Sequence, residues 1–207
     1  DIIENKLFHS FDLIGKSPSI TKIKKTIEKL STSESRVLIS GGTGTGKELV
    51  ARKIHKNSLR SKEPFVILNA ALLKENTYEK ELFGQEFDDG TISFGALERA
   101  NKGTLLIDEV SEISLETQAN VLRVLIDQKF KRLNGSSDVN VNIRLISSTS
   151  KDLKELVDLG KFREDLYHRL NVVPIELMPL SSRTEDIPLL IEYFRDKLAE
   201  LNGVQQS

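Results

Sequence analysis

The run Gly41, Gly42, Thr43, Gly44, Thr45, Gly46, Lys47 constrains this chain more than any other feature. It follows a short apolar run, Arg36 to Ser40, and opens a helix-like pattern that reaches about His55. Its spacing, a glycine, four residues, then glycine and lysine, is that of a phosphate loop. Glycines let the backbone bend until its N–H groups converge on phosphate oxygens. The helix N-terminus adds partial positive charge, and Lys47 supplies a full one. Glu48 stands next, where the general pattern wants a hydroxyl to touch magnesium. The plainer reading is a glycine-rich turn with a surface lysine, and the strand before and helix after argue against it.

A second feature meets the first. Leu105, Leu106 and Ile107 read as a buried strand that ends in two acids, Asp108 and Glu109. Beside a phosphate loop, such a strand brings Asp108 near a magnesium ion, and Glu109 can orient or deprotonate the attacking water. Together the two features imply nucleoside-triphosphate binding and hydrolysis with Mg2+.

The remaining pattern fits an α/β layer fold with a mostly parallel sheet flanked by helices. Ile20, Ile23, Ile27 and Leu30 recur at helical spacing, and Ser31 to Ser35 reads as a connector. Further strands are expected at Phe65 to Leu68, Thr104 to Ile107 and Val172 to Glu176. Another is expected where the alternating Val139, Val141, Ile143 and Leu145 run on into Ile146. Leu115, Ala119, Leu122 and Ile126 mark the apolar face of an amphipathic helix. Thr184 is placed to cap a last helix with apolar residues Ile187, Ile191, Phe194, Leu198 and Leu201. Residues 1–12 are expected to be a linker, 13–180 the nucleotide-binding unit, and 181–207 the start of a truncated helical lid.

Composition narrows the function. Thirty basic residues nearly balance 31 acidic ones, so the segment carries no basic footprint for gripping nucleic acid by itself. There is no cysteine, which excludes disulfides and thiolate metal sites. His9, His55 and His168 are scattered without ligand spacing. No apolar run is long enough to span a membrane, so a soluble cytoplasmic protein without a membrane partner is expected. The chain opens at Asp1 and stops at Ser207, just after a helical pattern, as expected of a domain excised from a longer protein.

Several segments together resemble one family. Gly44 to Glu48, Glu81 to Gly84, Gly103 to Glu109 and Phe162 to Leu170 look like the central AAA+ domain of NtrC-type, sigma-54-dependent transcription regulators. Gly95 to Ala100 and Leu122 to Gln128 resemble the family's NtrX branch. The likeness runs from about Leu13 to the end, and it absorbs Glu48, since the family carries Gly-Lys-Glu there.

The resemblance implies that the nucleotide is ATP, and it implies roles for individual residues. Ile14 and Gly15 sit where the family's backbone meets adenine. Asn69 matches the asparagine that restrains the catalytic Glu109, although a strand-end turn is its plainer use. Thr149 falls in the strand that senses the γ-phosphate, with a packing role as the alternative, and Ser150 replaces the asparagine usual there. Arg163 and Arg169 match arginine fingers that complete a neighbour's site in a hexameric or heptameric ring. Six positions on one helix rotate by roughly 240°, so the two arginines do not share a face. Simple ion pairing with Glu164 and Asp165 is the alternative. Partners implied through absent flanking domains are DNA and a sensor histidine kinase.

The chain departs from the family at Gln85 to Phe94. That stretch is shorter and acidic, and it lacks the Gly-Ala-Phe-Thr-Gly-Ala loop that touches RNA polymerase, which argues against sigma-54 remodelling. Phe87 and Phe94 are expected in the core. Two functions follow: an ATPase in an oligomeric ring coupled to transcription, or a nucleotide-binding oligomerisation switch with little turnover.

Overall fold

The computed structural model describes residues 12–73 and 75–202. His9 and all of the expected linker but Asp12 lie outside them. In chain order the elements are α1 (Pro18–Lys29), β1 (Val37–Gly41), α2 (Lys47–Lys56), β2 (Phe65–Asn69) and α3 (Glu75–Phe83). Next come β3 (Gln85–Glu86), β4 (Ile92–Ser93), α4 (Ala96–Arg99), β5 (Thr104–Asp108) and α5 (Leu115–Asp127). The chain continues with β6 (Lys129–Lys131), β7 (Asp138–Asn140), β8 (Arg144–Thr149), α6 (Leu153–Asp158), α7 (Glu164–Leu170), β9 (Val173–Leu177) and α8 (Ile187–Asn202).

Five strands form one parallel sheet in the order β2-β5-β8-β1-β9. Two apolar layers cover it. One joins Ile20, Ile23 and Ile27 of α1 and Val50, Ala51 and Ile54 of α2 to Val37, Ile39 and Ile146. The other packs Val121, Val124, Leu166 and Leu170 against Leu38, Leu105, Ile107 and Leu145. Alternate residues of each strand therefore serve opposite layers, as period-two geometry requires. Each fully buried aliphatic side chain contributes roughly 1.5–3 kcal/mol. β8 is buried along its whole length. β9 lies at the sheet edge, where Pro174 and Glu176 face solvent. A proline is tolerated there because an edge strand has one unpaired side.

Four expectations are corrected. The alternating stretch from Val139 to Ile146 is two strands: β7 pairs antiparallel with β6, and only β8 enters the main sheet. The buried face of α5 is Thr117, Gln118, Val121, Val124 and Leu125, whereas Leu115 and Ile126 are exposed. Gln118 decides that rotation, because its buried amide donates to the carbonyl oxygens of Ile113 and Lys161. Phe87 and Phe94 are exposed on the β3–β4 hairpin, near Lys80 and Arg132 respectively. The last helix begins at Ile187, after a 3-10 turn over Thr184–Asp186, and it leaves Ile191, Phe194 and Leu198 exposed. The Leu201 side chain lies outside those described.

His55 is buried, with its Nδ1 2.9 Å from the Thr104 hydroxyl. His168 is on the surface, 3.7 Å from Glu164. No helix among the described residues is long and apolar enough to cross a membrane.

Candidate nucleotide-binding site

The site forms where the parallel strands end. β1 delivers the loop Gly41–Gly46, and α2 starts at Lys47 with Gly46 as its N-cap in the left-handed region, φ 98°. Gly44 is left-handed as well, φ 78°, a conformation glycine adopts without a Cβ penalty. Gly42, Thr43 and Gly44 are open to solvent, so the concave side of the loop is accessible. The Thr45 hydroxyl closes the turn by donating to the Gly42 carbonyl at 2.8 Å. Lys47 is 7% exposed and folds back over the loop. Its Nζ donates to the carbonyl oxygens of Gly41 and Gly42 at 2.8 and 3.2 Å and lies 3.4 Å from Glu109 Oε1.

Asn69 and Asp108 end their strands in register. Asn69 Nδ2 donates to Asp108 Oδ2 at 2.9 Å, while its Oδ1 accepts from the Ala71 N–H at 3.0 Å. This corrects the expected pairing, since Asn69 holds Asp108 rather than Glu109. The other Asp108 oxygen accepts a short hydrogen bond from the Ser148 hydroxyl.

Glu109 adopts the left-handed region, φ 56° and ψ 53°, which costs a non-glycine residue roughly 1–2 kcal/mol. That turn carries its carboxylate towards β8. Oε2 accepts from both the N–H and the hydroxyl of Ser150, each at 2.9 Å. Burial alone would raise this carboxyl; the Ser150 donors and Lys47 outweigh it and hold the group below its ordinary value.

The other expected residues fall into two groups. Glu48 turns along α2 to Arg52 at 2.8 Å, away from the loop. The buried Thr149 hydroxyl donates to the Lys151 carbonyl at 2.9 Å, so its neighbours make the contacts with the acids, Ser148 with Asp108 and Ser150 with Glu109. Ile14 leads into Gly15, which lies against the 3-10 turn before α8: a Cβ on Gly15, at φ 148°, would lie 2.8 Å from the Asp186 carboxyl. Asp186 is buried and accepts from the Lys16 and Ser17 N–H groups at 2.7 and 2.9 Å and from the Ser17 hydroxyl at 2.6 Å.

Arg163 caps α7 without a side-chain cap bond and pairs twice with Asp165, at 3.0 and 2.8 Å. Arg169 is exposed near Arg36, whose guanidinium is held below its ordinary value by burial and by the Arg169 charge. Arg36 precedes β1 at the end of the sheet opposite the loop. Five strand steps separate it from Gly41, roughly 16 Å.

The sequence reading assigns no contact to Ser148, Ser150 or Asp186, although it places Ser150 where the family carries an asparagine. The signal for the serines was a strand whose polar half, Ser147, Ser148 and Thr149, is buried. Buried hydroxyls need partners, and the nearest charges are the two acids of the next strand.

A family model described as the sigma-54 interaction domain matches residues 13–176. The chain belongs to this family. Similar proteins include the nitrogen assimilation regulatory protein NtrX of Azorhizobium caulinodans and the regulatory protein AtoC of Escherichia coli K12. The first is 46% identical over 195 residues, covering 94% of this chain and 43% of that protein. The second is 46% identical over 194 residues, covering 92% of this chain and 42% of that protein. A crystal structure of Brucella abortus NtrX in complex with ATP matches with a TM-score of 0.88 at 44% identity, over 98% of this chain and 46% of that one. The same protein in complex with ADP gives 0.89. The chain thus spans less than half the length of these relatives.

Proposed function

We propose that this chain binds ATP and hydrolyses it to ADP and phosphate, as the core of a two-component response regulator that controls transcription. The observation that carries the proposal is the convergence of Lys47 on Glu109 at 3.4 Å, one residue after Asp108. A loop lysine and two strand-end acids at one point are what phosphoryl transfer requires. The B. abortus complexes with ATP and ADP support the choice of nucleotide.

The residues divide the work. Backbone N–H groups of Gly42 to Lys47 and the Lys47 ammonium hold the phosphates, and the Ile14–Gly15 segment meets the base. Glu109 takes a proton from the attacking water. Magnesium fits a site with one available carboxylate, Asp108, because phosphates and waters supply its other ligands. Among the described residues no three acidic or histidine groups converge, in keeping with that sparse donor set. When bound, the ion neutralises charge on the phosphate oxygens.

Arg169 lies beyond reach of its own loop, which supports a ring of six or seven subunits in which it completes the neighbour's site. The Arg163–Asp165 pair must open if Arg163 is to join it. DNA and a histidine kinase are proposed partners through the parts of the regulator outside this chain.

One observation favours a second reading, a nucleotide-dependent oligomerisation switch that does not remodel sigma-54 polymerase. The β3–β4 hairpin is short and pinned: Arg132 pairs with Glu98 at 2.7 Å and Glu86 at 2.8 Å. Leu133 and Gly84 exchange a further backbone bond at 3.0 Å.

The test is phosphate release by the full-length regulator against protein concentration. The rate per subunit should rise with concentration. Glu109→Gln should lower it roughly 10²–10⁴-fold with ATP binding kept, and Lys47→Ala should weaken binding itself. Tight ATP binding with no turnover at any concentration would select the switch.

A further inference from the structure

We propose that Ser150, rather than Asn69, is the positioning residue that holds Glu109 in its resting place, so that hydrolysis requires the Ser150–Glu109 contacts to break. The inference rests on the ATPase reading above and goes beyond it by naming the restraint.

Topology gives the first reason. β8 lies between β5 and β1 in the sheet, and β2 lies on the far side of β5. A side chain that leaves the end of β5 towards Lys47 must cross the tip of β8, where Ser150 sits. It moves away from Asn69 as it does so. The left-handed turn at Glu109 sets that direction.

The hydrogen bonds give the second. Asn69 is committed at both ends of its amide, to Asp108 and to the Ala71 N–H. Turning the amide away towards Glu109 would work against both bonds. Ser150 offers two donors to one Glu109 oxygen, each at 2.9 Å. The Ser148 hydroxyl also lies 3.3 Å from the Glu109 N–H, which ties the turn to the same strand.

The third reason is that the two anchors of Glu109 differ in kind. Among the described residues, Lys47 otherwise bonds its own loop, at the Gly41 and Gly42 carbonyl oxygens. A phosphate in the loop competes for that ammonium and draws it from Glu109. The Ser150 donors are neutral and are drawn less by a phosphate than an ammonium is, so their two bonds set the remaining cost of release. Hydrogen bonds to a charged group are the strong ones, and removing the hydroxyl makes release easier.

The experiment compares wild type, Ser150→Ala and Ser150→Thr in the full-length regulator. Ser150 is exposed, so truncating it leaves the core intact. Ser150→Ala should raise kcat about three- to tenfold, with KM and ADP affinity unchanged. Ser150→Thr, which keeps the hydroxyl, should bring kcat back towards wild type. An equal or lower kcat in Ser150→Ala with nucleotide binding intact overturns the proposal. Nucleotide-free crystal structures decide the point without turnover. Glu109 should lie on Ser150 in wild type and be less ordered in Ser150→Ala, which keeps only the backbone N–H at that position; a wild-type Glu109 bonded to Asn69 overturns the inference. A wild type that binds ATP yet never turns over would instead sink the ATPase reading, and those crystal structures would still decide the restraint.

Discussion

Single positions in this chain answer to backbone geometry before chemistry. Gly84 has φ 77°, and a Cβ there would lie 2.4 Å from the Ser93 carbonyl oxygen. Both the conformation and the contact oppose a side chain. Gly84→Ala should therefore lower unfolding free energy by about 2–3 kcal/mol in urea titration. The site's principal residues were legible because spacing alone defines them: a phosphate loop is seven consecutive positions, and the acids end an apolar run. Asn69 and Ser150 were not legible in the same way. Which of them touches Glu109 depends on strand order, and spacing along the chain does not encode that β8 lies between β5 and β1. Thr149 and Ser150 are adjacent, yet one points into packing and the other at the site, and only the bend after β8 decides which.

Elements follow the same division. α1, α2 and the sheet strands were readable because long apolar periodicity fixes them. The α5 face was misread because four apolar residues at helical spacing outvoted Gln118, whose buried amide is satisfied by Ile113, Lys161 and Arg163 from outside the helix. The 139–146 stretch alternates through both β7 and β8, and only the pairing with β6 separates them.

The 3-10 turn before α8 carries a testable clasp. Asp186 is buried, and although burial alone would raise it, the Ser17 hydroxyl, the Ser17 and Lys16 N–H groups and Arg183 hold it below its ordinary value. A lowered carboxyl stabilises the fold above the unfolded value of about 3.9, and that contribution is lost as pH falls through the folded value. Asp186→Asn should cost about 1.5–3 kcal/mol at pH 7. It should also flatten the loss of stability in denaturation curves below about pH 4. Arg132→Ala should raise amide exchange across residues 85–93, since that side chain ties the two hairpins together.

At the scale of the whole molecule, the sheet separates two groups of charged residues. Its C-terminal edge gathers Lys47, Asp108 and Glu109, and the opposite edge carries Arg36 with Arg169 beside it. In the proposed ring, one subunit would hold both halves of a site that it cannot assemble by itself. Fold class and loop position were visible in the sequence. The distance between the two ends was not, because it needs the parallel sheet to be built first. The direct measurement is a mixing experiment with the full-length regulator. Glu109→Gln and Arg169→Ala variants, each inactive alone, are combined in equal amounts and phosphate release is followed. Random assembly pairs an intact Glu109 with a neighbour's intact Arg169 at roughly a quarter of the interfaces, so the mixture should recover about that share of the wild-type rate. A mixture as inactive as its two components would contradict the account.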